Sequence, residues 1–346
     1  MMVENSKVAR KRFSTQSLLA PAALVILYTF FAIFGRNYFS EYQAKVILES
    51  AYFVGFLAFG VTFVIISGGI DLSIGTVMIC AGVIGGTAYK MWGWPLELAL
   101  CLLPLIGICF GTLNGIMVAK LKLPPFIATL GTMLVSQGFG SIVSNVTTNT
   151  YPTVGTKDEW FKQVFFRAGQ FPVGAVYLFT AFLVAWFLLN KTRFGRYIFA
   201  IGSNEEATRL SGLNVDKYKI MAYAVCGLFA GMAAIFYAAV YTTPIPGKGN
   251  GEELNAIAGV IIGGTSMSGG SGTMVGTLIG IFIMAVLKAG LPSIGLQAHY
   301  QTFFTGLVVI GAVLLDNARN RAAVRVKAPD RVLDSAPKEA PKKAPH

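Results

Sequence analysis

"VILESAYFVGFLAFGVTFVII", residues 46–66, is an uninterrupted run of mostly large apolar side chains. At 1.5 Å per residue, a helix of this length spans roughly 30 Å, the thickness of the hydrocarbon core of a bilayer. Its only charged residue is Glu49, close to its start. The stretch therefore predicts a membrane-spanning helix, and the rest of the chain must be compatible with that setting.

The composition of the whole chain is that of a membrane protein. Of 346 residues, 54% are hydrophobic, 13% are charged and 39 are glycine. Apolar runs of about 17 to 22 residues recur along the sequence and leave short polar connectors. We expect an all-α, polytopic transmembrane helix bundle of about ten spans, with broken or re-entrant helices near the Gly-rich segments. The approximate limits are 18–35, 46–66, 72–89, 96–119, 126–144, 173–190, 219–241, 253–263, 273–288 and 300–315.

The eighth predicted span, residues 253–263, is too short to cross a bilayer alone. We expect it to be a half-helix or part of a re-entrant hairpin, which a membrane tolerates only where protein or a water-lined cavity satisfies the backbone.

The distribution of basic residues indicates the topology. Most of the 28 Lys and Arg residues lie in segments that face the same side if the spans alternate. The positive-inside rule places that side, with both termini, in the cytoplasm. The predicted organisation is a basic N-terminus (1–17), a transmembrane domain (18–315) and a disordered tail rich in Ala, Pro and Lys (316–346). Dispersal of the basic residues over loops and a tail argues against a nucleic-acid partner.

Few residues in the sequence are suited to catalysis or metal binding. The two histidines are His299 and His346, and the four cysteines show no C-x-x-C spacing. No catalytic residue and no metal site is predicted. The nucleotide-binding pattern G-x-x-x-x-G-K-[ST] is absent from the sequence, so we expect no ATP to bind this chain.

The most polar stretch within the apolar part of the chain is "IFAIGSNEEATRLSGLNVDKYKI", residues 198–220. Ser203 and Glu206 have the spacing of a capping box, which predicts the start of a helix. Glu205 precedes Arg209 by four residues and can pair with it on one helix face.

Gly212 is suited to the left-handed residue that ends such a helix, so the pattern predicts about two turns over residues 203–212. A helix this short is marginal in water and needs a surface to pack on. That surface belongs either to a partner protein or to the chain's own bundle and the lipid head groups.

Four stretches together resemble the permease subunits of bacterial ABC importers for monosaccharides, the ribose, galactose and xylose group. They follow one another in the order expected for that family. They are "SGGIDLSIG" (67–75), "LNGIMVAKLKLPPFIATLGTM" (113–133), "NKTRFGRYIFAIGSNEEATRLSGLNVDKYK" (190–219) and "ELNAIAGVIIGGTSMSGGSGTMVG" (253–276).

The resemblance implies an inner-membrane permease, present as a homodimer or paired copy, that moves a monosaccharide by alternating access. It implies a separate ABC ATPase subunit that binds ATP and Mg²⁺, a periplasmic sugar-binding protein and surrounding membrane lipid. Residues 203–212 match the family's coupling helix, which docks on the ATPase. The expected coupling residues are Ser203, Glu205, Glu206, Arg209, Leu210 and Gly212.

Polar residues in or beside the spans are candidates for the translocation pathway. Asp71 invites a functional role because a carboxylate at membrane depth is costly; the alternative is that it caps the third span, since Asp is a preferred N-cap residue. The neutral candidates could bind sugar hydroxyls or a neighbouring helix. They are Asn114, Thr129, Thr132, Gln137, Asn255 and Ser266.

Two glycine-rich stretches, residues 65–76 and 261–273, resemble each other and suggest an internal repeat at the pathway or, equally, close helix packing. Residues 144–172 form the longest outer loop, either a docking site for a binding protein or a solvated connector.

The rival function is a self-sufficient secondary transporter or channel. It predicts functional ionisable residues in several spans, yet few acids lie in or near them, among them Glu49, Asp71 and Glu97.

Overall fold

The computed structural model describes residues 16–167 and 171–327, and these fold into helices joined by loops. This confirms the predicted all-helical fold class. The helices are α1 (Gln16–Phe34), α2 (Glu41–Ile66), α3 (Ile74–Lys90), α4 (Leu96–Ala119), α5 (Pro125–Val143), α6 (Trp160–Phe165), α7 (Val173–Lys191), α8 (Arg193–Ser203), α9 (Glu205–Leu210), α10 (Val215–Tyr241), α11 (Glu252–Ile262), α12 (Met274–Ser293) and α13 (Ala298–Lys327).

Within the described residues, 6 helices are long and apolar enough to cross a bilayer: α2, α4, α5, α7, α10 and α12. Two shorter apolar helices, α3 and the Leu19–Phe34 part of α1, accompany them. Each of the ten predicted spans coincides with a helix, although α11 has only 11 residues and the count of complete crossings stays approximate.

Helix α2, which contains the stretch quoted first, lies at the centre of the bundle. Every residue from Ala51 to Ile66 is buried. A helix that is apolar on all sides is stable only when protein or lipid surrounds it completely. Here α10, α12, α11 and α7 supply that surrounding.

Helices α5 and α7 lie at the periphery of the bundle, and only 28% of each span is buried within it. Leu134 and Ile142 of α5 and Leu183 and Phe187 of α7 are among the exposed side chains. Contiguous apolar surface of this kind requires lipid or another protein to cover it.

Glycine allows α4 and α10 to pack with their backbones in contact. A Cβ atom at Gly107 would overlap the carbonyl oxygen of Gly227, and one at Gly111 would overlap that of Tyr223. Small residues at helix crossings are the usual means of close packing between membrane helices.

The short helix α11 has the form of a half-helix. The chain from 242 to 251 turns back into the bundle before α11 begins, so that Gly249 packs against Gly75 and Thr76 at the start of α3. Gly249 and Gly251 have positive φ values of 114° and 99°, which favour glycine.

The bundle has two ends, which we call the α9 end and the far end. The α9 end carries α8, α9, the α2–α3 turn and the α11–α12 loop. The far end carries the turns before α2 and after α12, where the Arg36 amide donates to the Ser293 carbonyl at 2.9 Å. Tyr151 and Thr242 meet there too, where the Tyr151 amide donates to the Thr242 carbonyl at 2.9 Å.

Helix α13 continues to Lys327, past the predicted end of the last span at residue 315. The first part of the predicted tail, residues 316–327, is therefore helical. The remainder, 328–346, and the basic cluster of the N-terminus lie outside the described residues, so the predicted disorder there stays a prediction.

Candidate functional site

The polar segment between α7 and α10 forms two helices. Thr192 caps α8, its hydroxyl accepting from the Gly195 amide at 3.3 Å. Asn204 caps α9, its side-chain oxygen accepting from the Ala207 amide at 2.9 Å. The short helix predicted over 203–212 is thus present, but it spans Glu205–Leu210.

The predicted capping box is wrong. Ser203 is the last residue of α8, and the N-cap of α9 is Asn204, whose extended backbone (φ −160°, ψ 101°) separates the two helices. Ser203 cannot occupy the cap position because α8 extends through it. The prediction failed because α8 itself was not recognised.

A pattern that could have revealed α8 is present in the sequence. Phe194, Ile198 and Ile201 recur at helical spacing and face the bundle, while Arg193 and Arg196 are exposed. Ile198 and Ile201 are fully buried, and the Phe194 ring stacks on Phe63 of α2 at 5.8 Å. Such an amphipathic pattern predicts a surface helix packed on a bundle.

A network of ion pairs holds α9 to its surroundings. Glu205 pairs with Arg209 at 3.1 Å, as predicted, and with Lys219 of α10 at 2.5 Å. Arg209 also pairs with Asp216 at 3.0 Å, and Lys122 of the α4–α5 turn reaches the same carboxylate. Each such exposed pair contributes little alone, but together they tie α9 to α10 and to the α4–α5 turn.

The pKa of the Glu205 carboxyl shows the balance of these contacts. Partial burial acts to raise it, but hydrogen bonds and charge from Lys219 and Arg209 outweigh burial and hold the pKa below its usual value. Glu205 is therefore ionised at neutral pH.

The remaining predicted coupling residues face outward. Glu206 is exposed, and Leu210 is 83% exposed, an unusual position for a large apolar side chain. Gly212 has a φ of +87°, the left-handed conformation predicted for the residue that ends the helix. A cleft of about 400 Å³ lies beside them between α8 and α9, lined in part by Tyr197, Ala200 and Ala207.

Three backbone segments meet at the C-terminal end of α8. The Gly270 amide donates to the Ile66 carbonyl at 2.9 Å, and Gly202 lies so close to both that a Cβ atom there would overlap them. Gly269 packs on Gly68. The two glycine-rich stretches that resemble each other in sequence are therefore in contact, together with the end of α8.

Asp71 lies in a buried hydrogen-bond network. One carboxylate oxygen accepts from the Ser73 amide at 2.9 Å and from its hydroxyl at 2.6 Å. The side-chain amide nitrogen of Asn114, on α4, donates to the Ser73 hydroxyl at 2.9 Å. The same nitrogen lies 3.3 Å from each of the two Asp71 carboxylate oxygens. The Thr132 hydroxyl of α5 donates to Asn114.

This network places three predicted residues, Asp71, Asn114 and Thr132, at one site and links α3, α4 and α5. Asp71 is 1% exposed, and it engages the residue before α3 instead of the first amides of the helix. Asp71 lies two residues before Ser73, the N-cap of α3, and accepts from the Ser73 amide as in an Asx turn.

The other predicted pathway residues lie apart. Thr129 donates to the Pro125 carbonyl of its own helix, and Gln137 donates to the Gly247 carbonyl. Ser266 in the α11–α12 loop contacts Asp316 of α13 at 3.1 Å. Asn255 lies at a cavity between α11, α12 and α13.

The outer loop is packed against the far end of the bundle. Tyr151 is buried and its hydroxyl donates to the Gly82 carbonyl at 2.8 Å. Lys162 of α6 donates to the Ala239 carbonyl and the Thr242 hydroxyl, and Arg167 pairs with Glu49. These contacts differ from those of a freely solvated connector.

No group of His, Cys, Asp and Glu side chains in the described part of the chain is arranged to hold a metal ion.

Comparison with known proteins gives one family and several relatives. The model of a family described as permease components of branched-chain amino acid transport systems matches residues 44–313. The ribose import permease protein RbsC of Escherichia coli (strain K12) is 37% identical over 321 residues, 90% of this chain and 98% of its own.

Two further relatives are named for other sugars. The galactose/methyl galactoside import permease protein MglC of Haemophilus influenzae is 34% identical, covering 76% of this chain and 82% of its own. The fructose import permease protein FrcC of Rhizobium meliloti is 33% identical, with 84% and 82% covered. No solved structure matches the chain.

Proposed function

The chain belongs to the family of permease components of branched-chain amino acid transport systems, and from this premise we propose that it is the membrane-spanning subunit of an ATP-driven importer for a monosaccharide. It is a multi-pass membrane permease, a transport component and not an enzyme. A self-sufficient secondary transporter or channel is not favoured, since the relatives are named as import permease proteins.

The substrate class is supported by the relatives. Three that cover most of the chain are named for ribose, galactose and fructose, whereas the family description names branched-chain amino acids. These relatives match 76% to 90% of the chain. A monosaccharide is therefore the favoured substrate, and leucine is the competing one.

In an importer of this kind, ATP hydrolysis and delivery of the solute are carried out by proteins other than the permease. An ABC ATPase binds ATP and Mg²⁺ and contacts α9, and a periplasmic sugar-binding protein delivers the solute to the far end. A second copy of this chain completes a homodimer, with lipid around it. With the ATPase in the cytoplasm, the α9 end and both termini face the cytoplasm of the bacterial cell, and the chain lies in the inner membrane.

The observation that carries the proposal is the junction of Gly202, Gly270 and Ile66. It joins α8, and through it α9, directly to the end of the central helix α2 and to the α11–α12 loop. Displacement of α9 by a partner is transmitted to buried helices because close-packed backbones do not deform continuously. Coupling then requires only that the ATPase bind the two states of the bundle unequally.

Reconstitution in proteoliposomes tests this function. The chain is assembled with its candidate ATPase and binding protein, and uptake of radiolabelled D-ribose, D-galactose and L-leucine is measured with and without ATP. We expect ATP-dependent accumulation of at least one sugar and none of leucine. Sugar accumulation by the chain alone, driven by an ion gradient, would instead support the secondary transporter.

A further inference from the structure

A cavity of about 390 Å³ lies between the first turn of α11, the second half of α12 and α13. Its volume is within the range of about 300–1,000 Å³ typical of small-molecule sites. We call it the α11 cavity. Its polar lining includes Glu252, Asn255, Lys288, Gln301, Thr302 and Thr305.

The charged groups of the α11 cavity neutralise each other. The ammonium group of Lys288 lies 3.5 Å from one carboxylate oxygen of Glu252 and 5.4 Å from the centre of the Phe53 ring. The side-chain amide nitrogen of Asn255 donates to the other carboxylate oxygen of Glu252 at 3.0 Å. The Thr305 hydroxyl lies 3.5 Å from the side-chain amide oxygen of Asn255.

This charge balance selects against charged ligands. An ionic ligand would have to give up its hydration without an opposite charge left to pair with it, which is costly in a partly desolvated site. A neutral ligand with several hydroxyls can instead donate to carboxylate and amide oxygens and accept from the ammonium and amide groups. The apolar side chains of Leu254, Met284 and Leu287 also line the cavity and can contact C–H surface.

We propose that the α11 cavity is a subsite that holds a neutral, hydroxyl-rich solute such as a monosaccharide on its way through the bundle. The proposal rests on the function proposed above and assigns part of the translocation pathway to it. Gln301 and Thr302 of α13 bind solute hydroxyls, and the Lys288–Glu252–Asn255 chain supplies further donors and acceptors.

Helix α11 connects the subsite to the segment formed by α8 and α9, which we propose contacts the ATPase. Its first turn lines the cavity, and the loop after its last turn carries Gly269 and Gly270, which contact Gly68, Gly202 and Ile66. Helix α11, which has 11 residues, therefore connects the cavity to the junction of Gly202, Gly270 and Ile66. A movement of that junction displaces Glu252 and Asn255 relative to α13, which opens or closes the cavity.

Solute protection of an engineered cysteine tests the subsite directly. In a variant whose exposed native residues Cys101 and Cys109 are replaced by serine, Thr302→Cys is labelled with a small thiol-reactive reagent in the assembled importer. We expect D-ribose to slow this labelling at least threefold in the presence of binding protein. Labelling of Asn190→Cys, exposed at the α9 end of α7, serves as the control and is expected to be unaffected.

Uptake by substituted importers supplies a second, independent test. Thr302→Val and Gln301→Ala each remove one solute contact, so uptake of D-ribose per ATP hydrolysed is expected to fall about fivefold, in line with the loss of a hydrogen bond. Thr180→Val is the matched control on α7, and its uptake of D-ribose and its ATPase stimulation by the binding protein are expected to stay at the wild-type level.

The outcomes separate the subsite from the proposed function. Wild-type uptake of D-ribose, combined with unprotected labelling at position 302 and normal uptake by both α13 variants, would overturn the subsite alone. A wild-type importer that accumulates L-leucine and no sugar would overturn the proposed function and the subsite with it.

Discussion

The backbone amide of Gly270 donates a hydrogen bond to the carbonyl of Ile66 at 2.9 Å, although helices α3 to α11 lie between these two residues in the sequence. Ile66 is the last residue of α2, so its carbonyl has no partner within the helix. The α11–α12 loop supplies that partner, and Gly202 at the end of α8 packs against the same bond. Helix α2, the loop after helix α11, and helix α8, which leads into α9, are thereby joined at one point.

Replacement of Gly202 by alanine is expected to disturb this point. The added Cβ would overlap the Ile66 carbonyl oxygen and the Gly270 amide, and the backbone movement needed to relieve the overlap costs about 1–3 kcal/mol. We expect lower thermal stability and uptake of solute reduced more strongly than ATPase activity. Gly131→Ala in α5 is the matched control, since a Cβ atom there meets nothing within 4 Å. Equal stability and uptake in the two variants would contradict a mechanical role for the junction.

Replacement of Leu210 by alanine tests the contact surface of α9. This side chain is 83% exposed and contributes little to the fold, so its truncation should leave thermal stability unchanged. If it fills a pocket on the ATPase, affinity for that subunit should fall about tenfold. The measurement is binding of the purified ATPase to the detergent-solubilised permease. Leu183→Ala on the exposed face of α7 is the control, and an equal loss in both variants would count against a specific docking role.

The ion pairs of Glu205 predict a dependence on pH. Because its folded pKa lies below the ordinary value of about 4.5 for an unfolded glutamate, its contribution is fully present above that value. The contribution is lost as the pH falls from about 4.5 through the lower folded pKa. The difference in thermal stability between wild type and Glu205→Gln should therefore be constant near neutral pH and shrink below pH 4.5. Glu206→Gln, at the adjacent exposed position, is the matched control for the loss of one carboxylate. A difference between wild type and Glu205→Gln that grows on acidification would refute the assignment.

The spans and the short helix α9 were predictable because their signals are local. Apolar length alone locates α2 and α10, and the short run 253–263 identifies α11 as a helix that cannot cross the bilayer by itself. The spacing of Glu205 and Arg209 and the glycine at 212 predicted a short helix ending there. The cap assignment failed because Ser203 and Asn204 are both good cap residues, and the choice depends on α8, which packs on α2.

The arrangement of polar residues was less predictable because it depends on contacts between distant segments. Asp71, Asn114 and Thr132 come from three different elements, and no sequence spacing indicates that they share hydrogen bonds. The pairing of Glu252 with Lys288 depends in the same way on how α11 packs against α12. The extent of α13 was underestimated because its polar final turns lack the apolar pattern that identifies a span.

Replacement of Asn114 by alanine separates a structural role of the Asp71 network from a role in the pathway. The change leaves the buried Thr132 hydroxyl and the Asp71 carboxylate short of a partner, which should lower stability by about 1–3 kcal/mol. Asn190→Ala on α7, where the side chain is exposed and bonds only its own helix, is the matched control. Thermal stability and sugar uptake are measured together for both variants. A lower melting temperature with uptake reduced in proportion to the folded fraction indicates a structural network. Unchanged stability with uptake abolished would place Asn114 and Asp71 in the pathway instead.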